Sequence, residues 1–173
     1  HHAGDQVETV LMRLLRGAAP GGLCGIPPVR QADDVRIIRP LIDCTRDEIR
    51  GYLDAIGAAC REDETNRDTR HPRNRIRHEL LPLLKRDFNP RVDRAILRMA
   101  DVLRDEDALL AETAEAALRR CRLDGETIDR HGFAALHPAV QRRVLTLIAW
   151  EYGAEGAFDR IEAARRHIAE GPA

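Results

Sequence analysis

The sequence predicts a mainly α-helical fold, in which a mixed part with one strand comes before a part built only of helices. Apolar side chains recur at helical spacing over most of the 173 residues. One run rich in β-branched residues, 35–39, predicts a strand that Pro40 closes. Only helical patterns follow Phe88, so we place a boundary there and expect two domains, 1–88 and 89–173.

The opening helix carries two acidic residues close to its start. Apolar positions predict an amphipathic helix over 5–16, and Asp5 and Glu8 share one of its faces because they lie three residues apart. Arg16 lies two turns beyond Glu8 on the same side. Two carboxylates beside a loop can hold a magnesium ion, because hard cations take oxygen ligands. The alternative is that acids in a first turn only complement the helix dipole, and spacing leaves both interpretations open.

The sequence pattern of residues 1–88 predicts a single strand and no partner for it. The Gly- and Pro-rich stretch 17–28 before it predicts a loop. A lone strand is not stable, so its sheet should be completed by residues missing from this chain or by another molecule. Thr45 and Glu48 form a capping box that opens a helix ending at Gly57. We expect this helix to bury three apolar side chains, Ile49, Leu53 and Ile56.

Prolines and a capping residue divide the rest of the chain. A polar loop over 60–72 precedes a helix that Pro82 should kink or end early. Asn89-Pro90 then opens a long helix, which the apolar pattern continues to about Arg122. Shorter helices suited to pack on it are predicted at 131–136, 138–152 and 158–170.

A second group of candidate functional residues lies at the start of the helix before Pro82. Arg73 and Arg77 are one turn apart, so both guanidinium groups can hold phosphate oxygens from one side. Asn74 lies on the neighbouring side of the helix. The alternative is a solvated face paired with Glu79 and the acidic loop 62–64.

Basic residues are concentrated in one part of the chain. Residues 67–98 carry ten basic and four acidic side chains, a local charge of +6 in a chain whose net charge is -1. A basic stripe of this kind suits a phosphate-bearing partner. The alternative is a composition effect, because the chain uses arginine almost throughout and Lys85 is its only lysine.

Composition argues against several classes of protein. No apolar run approaches the roughly 20 residues of a membrane span and no secretion signal is visible, so we expect a cytoplasmic protein without a membrane partner. Paired histidines at the start, His1 and His2, are also compatible with the remnant of a purification tag. The absence of a Cys-x-x-Cys pair argues against zinc and redox sites and predicts reduced, structural thiols at Cys24, Cys44, Cys60 and Cys121.

Several segments resemble the tRNA(Ile)-lysidine synthetase family, whose members are N-type ATP pyrophosphatases of the PP-loop superfamily. Residues 1–9 are similar to the family's His-His-x-Asp-Asp-Gln-x-Glu-Thr, with Gly4 in the place of the first acid. The resemblance is strong over residues 1–90 and weaker afterwards. Four further segments match in order and spacing: Leu15-Arg16-Gly17 to Gly22-Leu23, Arg39-Pro40-Leu41-Ile42-Asp43, Asp63-Glu64-Thr65-Asn66-Arg67-Asp68 and Arg73-Asn74-Arg75-Ile76-Arg77-His78-Glu79-Leu80-Leu81-Pro82.

The resemblance implies both a fold and a reaction. The fold is the C-terminal part of an α/β, Rossmann-like ATP pyrophosphatase domain of the adenine nucleotide alpha hydrolase type, followed by a helical linker domain. The reaction is a ligation that uses ATP and Mg²⁺. The C2 oxygen of the wobble cytidine in a tRNA(Ile) with a CAU anticodon attacks the α-phosphate of ATP, and free lysine then displaces AMP to give lysidine.

The resemblance also implies roles for particular residues. In the family, a Ser-Gly-Gly-x-Asp-Ser loop cradles ATP through backbone N–H groups. This chain has no such stretch, so its cofactor-binding residues stay unassigned and we expect the 173 residues to be inactive on their own. A homodimer is left open. Three groups of site residues are assigned: Asp5 and Glu8 to the metal and its polar network, Arg16, Arg73 and Arg77 to phosphate or the tRNA backbone, and His2 and Asn74 to substrate positioning.

Two rival functions fit the same sequence. A tRNA thiolation enzyme is also an ATP pyrophosphatase with a similar opening helix, but such enzymes often use paired cysteines, and those of this chain are scattered. A non-catalytic helical module that binds RNA through the basic stripe is the second rival.

Overall fold

The computed structural model describes residues 1–58, 70–154 and 157–170. The chain divides into two compact units, His1–Arg104 and Asp105–Ala173. The described residues are mostly helical, so the mainly α prediction is confirmed. The domain boundary near Phe88 stays a prediction, because a compact unit and a functional domain need not coincide. The predicted polar loop over 60–72 lies almost wholly outside the described residues.

Helix α1, Ala3–Leu15, confirms the predicted opening helix and begins two residues earlier than expected. Its N-cap is His2, whose ring Nδ1 accepts a hydrogen bond from the Gly4 backbone N–H at 2.9 Å. Asp5 completes a capping box by accepting a hydrogen bond from the His2 backbone N–H at 2.9 Å. Histidine is not among the usual N-cap residues, which is why the sequence did not predict this start.

The predicted strand has its partner within the chain. Strands β1, Val29–Ala32, and β2, Val35–Ile38, form an antiparallel hairpin. The expectation that another molecule or missing residues pair with the strand is therefore wrong. The pattern of β1 is short and follows prolines, so it was not recognisable, and Asp33 allows the tight turn by adopting a φ of 49°. The predicted loop before the hairpin contains a short 3-10 helix, Pro20–Cys24.

Helix α2, Arg46–Ala55, confirms the predicted capping box at Thr45. The Thr45 hydroxyl accepts a hydrogen bond from the Glu48 backbone N–H at 3.2 Å, and Glu48 accepts one from the Thr45 backbone N–H at 2.7 Å. The predicted burial of its apolar face is only partly confirmed, because Ile49 and Leu53 are half-buried, whereas no residue of α2 is fully buried and Ile56 beyond it is 57% exposed. An amphipathic pattern identifies the apolar face of a helix, but burial needs a second surface to cover it.

The helix after residue 70 is continuous but changes its winding. It consists of α3, Pro72–Arg75, a π-helical segment, Ile76–Leu80, and α4, Leu81–Asp87. The wide turn ends with a hydrogen bond from the Leu81 backbone N–H to the Ile76 carbonyl, directly before Pro82. Proline has no N–H and crowds the preceding turn, so the wider winding accommodates Pro82 without ending the helix. The expected early end therefore does not occur.

The core of the first unit joins α1 to this helix. Val7 and Leu11 of α1 pack against Ile76 of the π-helical segment, and all three are at most 7% exposed. Partly buried leucines surround them, including Leu80 and Leu84. This packing brings the start of α1 beside α3, although the two segments are far apart in sequence.

The long predicted helix is confirmed as α5, Val92–Cys121, which has 30 residues and is therefore about 45 Å long. The three later helices are also confirmed as α6, Arg130–Ala134, α7, Pro138–Glu151, and α8, Phe158–Glu170. Phe133 and Val144 are fully buried in the core of the second unit. Within the described residues, no helix combines the length and hydropathy that a bilayer crossing requires.

An ion-pair network also holds the second unit together. Glu162 accepts hydrogen bonds from Arg142 Nε at 2.7 Å, from Arg165 Nη2 at 2.9 Å and from Arg166 Nε at 3.2 Å. The hydrogen bonds from Arg165 and Arg142, with a smaller contribution from Arg166, lower the pKa of Glu162 from 4.5 to about 2. The network ties α7 to α8.

Candidate active site

The two predicted groups of site residues meet in one cluster on the first unit. Asp5 and Glu8 project from the first turns of α1, and Arg73 and Arg77 project from the helix that begins at Pro72. We refer to these four residues as the acid–arginine cluster. The structure thus brings together residues that are 65 to 72 positions apart in the sequence.

Glu8 is the centre of this cluster. Its side chain is only 3% exposed, and both of its oxygens accept hydrogen bonds from guanidinium groups. Arg73 Nε donates to Oε2 at 2.7 Å, while Arg77 Nε donates to Oε1 at 2.5 Å and Arg77 Nη2 donates to Oε2 at 3.0 Å. A carboxylate that is almost completely buried is stable in its charged form only with such partners.

Asp5 joins the same two arginines from the edge of the cluster. Arg73 Nη2 donates to Asp5 Oδ1 at 2.9 Å, and Arg77 Nη2 lies 3.6 Å from the same oxygen. The Asp5 side chain is 16% exposed, so this pair is closer to solvent than the pairs of Glu8. Two acids and two arginines make the cluster neutral overall.

The hydrogen bonds that Arg77 donates to Glu8 raise the pKa of Arg77, with smaller Coulombic contributions from Glu8 and Asp5, although partial burial opposes the shift. The charged form of Arg77 is therefore stabilised within the cluster. The arginines are held in fixed orientations by fork-like contacts, which is the preorganisation that binding of a charged substrate requires.

Arg73 retains a donor atom that no described residue of the protein binds. Its Nε and Nη2 atoms bind Glu8 and Asp5, and within the described parts of the chain its Nη1 atom has no hydrogen-bond partner. The side chain is 38% exposed, so the two N–H groups of Nη1 are accessible to a ligand. The chemistry of this edge suits an anion such as a phosphate.

The other predicted site residues lie at different places. His2 caps α1 and its imidazole lies 3.9 Å from Asp5, so it belongs to the edge of the cluster. Asn74 is buried, with 8% exposure, between the two arginines in sequence. Arg16 is exposed at the C-cap of α1, eight residues and about 12 Å of helix beyond Glu8, so the structure does not bring it to the cluster.

Gly4 stands where the resemblance places an acid. A Cβ atom on Gly4 would lie 2.6 Å from Cε1 of the His2 ring. The glycine therefore leaves room for the imidazole that caps α1. A residue with a side chain at this position would require the ring to shift.

Two residues that sequence analysis missed hold the loop beside α1. The Gln6 side chain accepts a hydrogen bond from the Ile26 backbone N–H at 2.6 Å and donates one to the Ile26 carbonyl at 2.8 Å. Arg13 Nη1 donates to the carbonyls of Gly22 at 3.0 Å and of Gly25 at 2.8 Å. Gln6 is part of the motif that carries the resemblance, but no pattern indicated that Arg13 binds the loop rather than a ligand.

A magnesium ion does not fit the acid–arginine cluster as it stands. All four carboxylate oxygens of Asp5 and Glu8 already face N–H donors, from the two arginines and from the His2 backbone. The described residues contain no group of three or more His, Cys, Asp or Glu side chains arranged to hold a metal. Magnesium prefers an octahedral shell of oxygens, and these contacts already occupy the oxygens of both carboxylates. The assignment of Asp5 and Glu8 as metal ligands therefore stays a prediction.

Comparison with known proteins gives the class to which this site belongs. A family model described as a PP-loop domain matches residues 1–84, which include the whole acid–arginine cluster. The site therefore lies in a PP-loop domain.

Individual relatives among known proteins indicate a particular family within the PP-loop class. A tRNA(Ile)-lysidine synthase of Symbiobacterium thermophilum is 50% identical over 121 residues, which are 70% of this chain and 25% of the relative. One of Geobacter sulfurreducens is 49% identical over 120 residues, 69% of this chain and 25% of the relative. One of Thermosynechococcus vestitus is 33% identical over 173 residues, 99% of this chain and 50% of the relative. The chain belongs to the tRNA(Ile)-lysidine synthase family, and it spans between a quarter and a half of the length of these relatives.

Proposed function

We propose that this protein takes part in the ATP-dependent attachment of lysine to C2 of the wobble cytidine in a tRNA(Ile) with a CAU anticodon. The observation that carries the proposal is the acid–arginine cluster, because it joins the two motifs on which the family resemblance rests. The names of the relatives favour lysidine formation over the rival thiolation reaction.

The chemistry of the reaction defines what these residues would do. The first step joins the cytidine C2 oxygen to the α-phosphate of ATP and releases pyrophosphate, and the second joins the lysine amine to C2 and releases AMP. Negative charge concentrates on phosphate oxygens during the first step, and a preorganised guanidinium group stabilises it. We assign this role to Arg73, whose Nη1 group is available, and we assign to Glu8 the role of holding Arg73 and Arg77 in position.

Further parts of the proposal rest on family membership. They are an α/β, Rossmann-like domain of the adenine nucleotide alpha hydrolase type, ATP with Mg²⁺ as cofactors, free lysine as a substrate, a cytoplasmic location and, less directly, a homodimer. Asp5 and Asn74 complete the proposed site, with His2 at its edge and Arg16 available to a tRNA that extends beyond it.

A chimera tests the proposed function. Residues 1–173 replace the matching segment of the Thermosynechococcus vestitus relative, to which they are aligned over almost their full length. The purified chimera should transfer radioactive lysine to a tRNA(Ile) transcript with a CAU anticodon, and only with ATP present. By contrast, the 173-residue chain alone should show no exchange between ATP and pyrophosphate, because it has no Ser-Gly-Gly-x-Asp-Ser stretch.

Variants of the chimera connect this activity to the cluster. Arg73→Ala should lower lysine transfer by about 10²-fold or more, which is the scale for loss of one preorganised charge-stabilising donor. Glu79→Gln is the matched control, because Glu79 lies on the same helix and, among the described residues, pairs with exposed Arg75 alone, at 3.6 Å. A folded chimera that binds tRNA but transfers no lysine, beside an active intact relative, would contradict the proposal.

A further inference from the structure

The structure divides the basic stripe of residues 67–98 into paired and unpaired arginines. Arg73 and Arg77 are neutralised by Asp5 and Glu8. Several other basic groups of the stripe are also paired: Arg75 with Glu79 at 3.6 Å, Lys85 with Asp93 at 2.9 Å and Arg86 with Asp87 at 2.5 Å. In the described part of the stripe, the positive charge that has no partner lies toward its C-terminal end.

Among the described residues of the stripe, this charge belongs to Arg91, which directly precedes α5, and to Arg94 and Arg98 in its first turns. Arg91, Arg94 and Arg98 are exposed, and among the residues that the structure describes their guanidinium groups have no ion pair or hydrogen bond. They follow one another at intervals of three and four residues, so they lie along one face of the helix. Their charges are therefore free to attract an anionic partner.

These arginines line one groove of about 560 Å³. Asn89 and Leu97 contribute to the same surface, and Asp101 lies at its far end. The carboxylate of Asp101 is paired with Arg104 at 2.9 Å, so it offsets little of the positive charge in the groove. We refer to this surface as the α5 groove.

We propose that the α5 groove binds the sugar–phosphate backbone of the tRNA, an inference that rests on the proposed function. From Arg91 to Arg98 the helix rises about 10 Å, a distance over which a nucleic acid strand with about one phosphate per 3.4 Å presents several charges. Planar guanidinium groups match phosphate oxygens with two parallel hydrogen bonds. No aromatic side chain lines the described groove, so the contact reads the backbone and not the bases.

The test measures tRNA binding by the 173-residue chain as a function of salt. A fluorescently labelled tRNA(Ile) with a CAU anticodon is titrated at several KCl concentrations, and anisotropy gives the dissociation constants. Because each lost phosphate contact lowers the salt slope by about one, changing Arg91, Arg94 and Arg98 together to Ala should lower the slope by about 2 to 3 and weaken binding at least about tenfold.

Two further variants separate charge in the groove from other effects. Changing the three residues to Lys keeps the charge, so the salt slope should stay within about 0.5 of that of the unchanged chain. The matched control changes Arg119, Arg120 and Arg160 to Ala, which removes the same charge from exposed positions in the second unit. Its affinity should change less than about threefold.

The binding measurements can also contradict the proposal that the α5 groove binds tRNA. Three results would overturn the α5 groove as a tRNA site. They are an unchanged salt slope in the Ala variant, an equal loss of affinity in the matched control, and equal displacement of tRNA by poly-glutamate at the same charge concentration. Absence of any tRNA binding by the unchanged chain also overturns it. Lysine transfer by the chimera is measured separately, so failure of the groove and failure of the proposed function are distinguishable.

Discussion

Replacing Glu8 with Gln tests whether the acid–arginine cluster stabilises the first unit. The substitution keeps the size of the side chain but removes its charge and turns one acceptor oxygen into an N–H₂ donor that faces a guanidinium group. Glu8 is 3% exposed and accepts three charge-assisted hydrogen bonds from Arg73 and Arg77. These bonds do not survive together in the variant.

The expected loss of stability follows from burial. Removing one partner of a buried ion pair costs about 3–5 kcal/mol, because the remaining charge is left without compensation. Here the remaining arginines are 38% and 24% exposed, so water screens them and we expect a loss of about 2–3 kcal/mol. With a urea m-value of about 2 kcal/mol per molar, the unfolding midpoint should fall by about 1–1.5 M.

Urea unfolding followed by circular dichroism measures this change. The fluorescence of Trp150, the only tryptophan, gives a second signal, and coincident transitions would justify a two-state analysis. Glu79→Gln is again the matched control, because its 3.6 Å pair with Arg75 is exposed on both sides and should contribute less than about 1 kcal/mol. Equal shifts of the midpoint in the two variants would refute the stabilising role of Glu8.

Two more substitutions test other parts of the structure. Gly25→Ala should destabilise the protein by about 1–3 kcal/mol, because residue 25 has a φ of 74° and a Cβ atom there would collide with Gln6 Oε1. Gly51→Ala in α2 is the control, because a Cβ atom there meets nothing within 4 Å, and it should be neutral or slightly stabilising. Thermal melts of both variants measure the difference, and similar melting temperatures for the two would contradict this account. Glu162 has its pKa lowered from 4.5 to about 2, so its contribution to stability is present above pH 4.5 and is lost as the pH falls toward 2. Melting temperatures measured from pH 6 to pH 2 should therefore decline less steeply for Glu162→Gln than for the unchanged protein, and parallel curves would show that the network does not stabilise the fold.

The helices were largely predictable because their signals are local. A capping box at Thr45, the Asn89-Pro90 start and the apolar period of α5 each depend on residues within a few turns of one another. The hairpin was only half predicted, since β1 has four residues and its turn depends on the conformation of Asp33. The apolar face of α2 was predicted, since Ile49 and Leu53 are its half-buried residues, but the extent of burial was not, because it depends on what covers the helix.

The candidate site was predicted as two separate groups. The sequence identified Asp5, Glu8, Arg73 and Arg77, and it left open whether each group was a solvated face or part of a site. It did not identify Gln6 or Arg13, whose hydrogen bonds go to backbone atoms of a loop and leave no periodic trace. Nor did it separate the arginines that are paired from those of the α5 groove.

By itself the sequence determined the positions of most helices, the local excess of positive charge and the family to which the chain belongs. Only the tertiary structure decided which charges meet. The reason is physical: the interaction of two charges depends on their distance and on the solvent around them, and the packing of α1 on Ile76 brings Arg73 within 2.7 Å of Glu8 across 65 residues of chain.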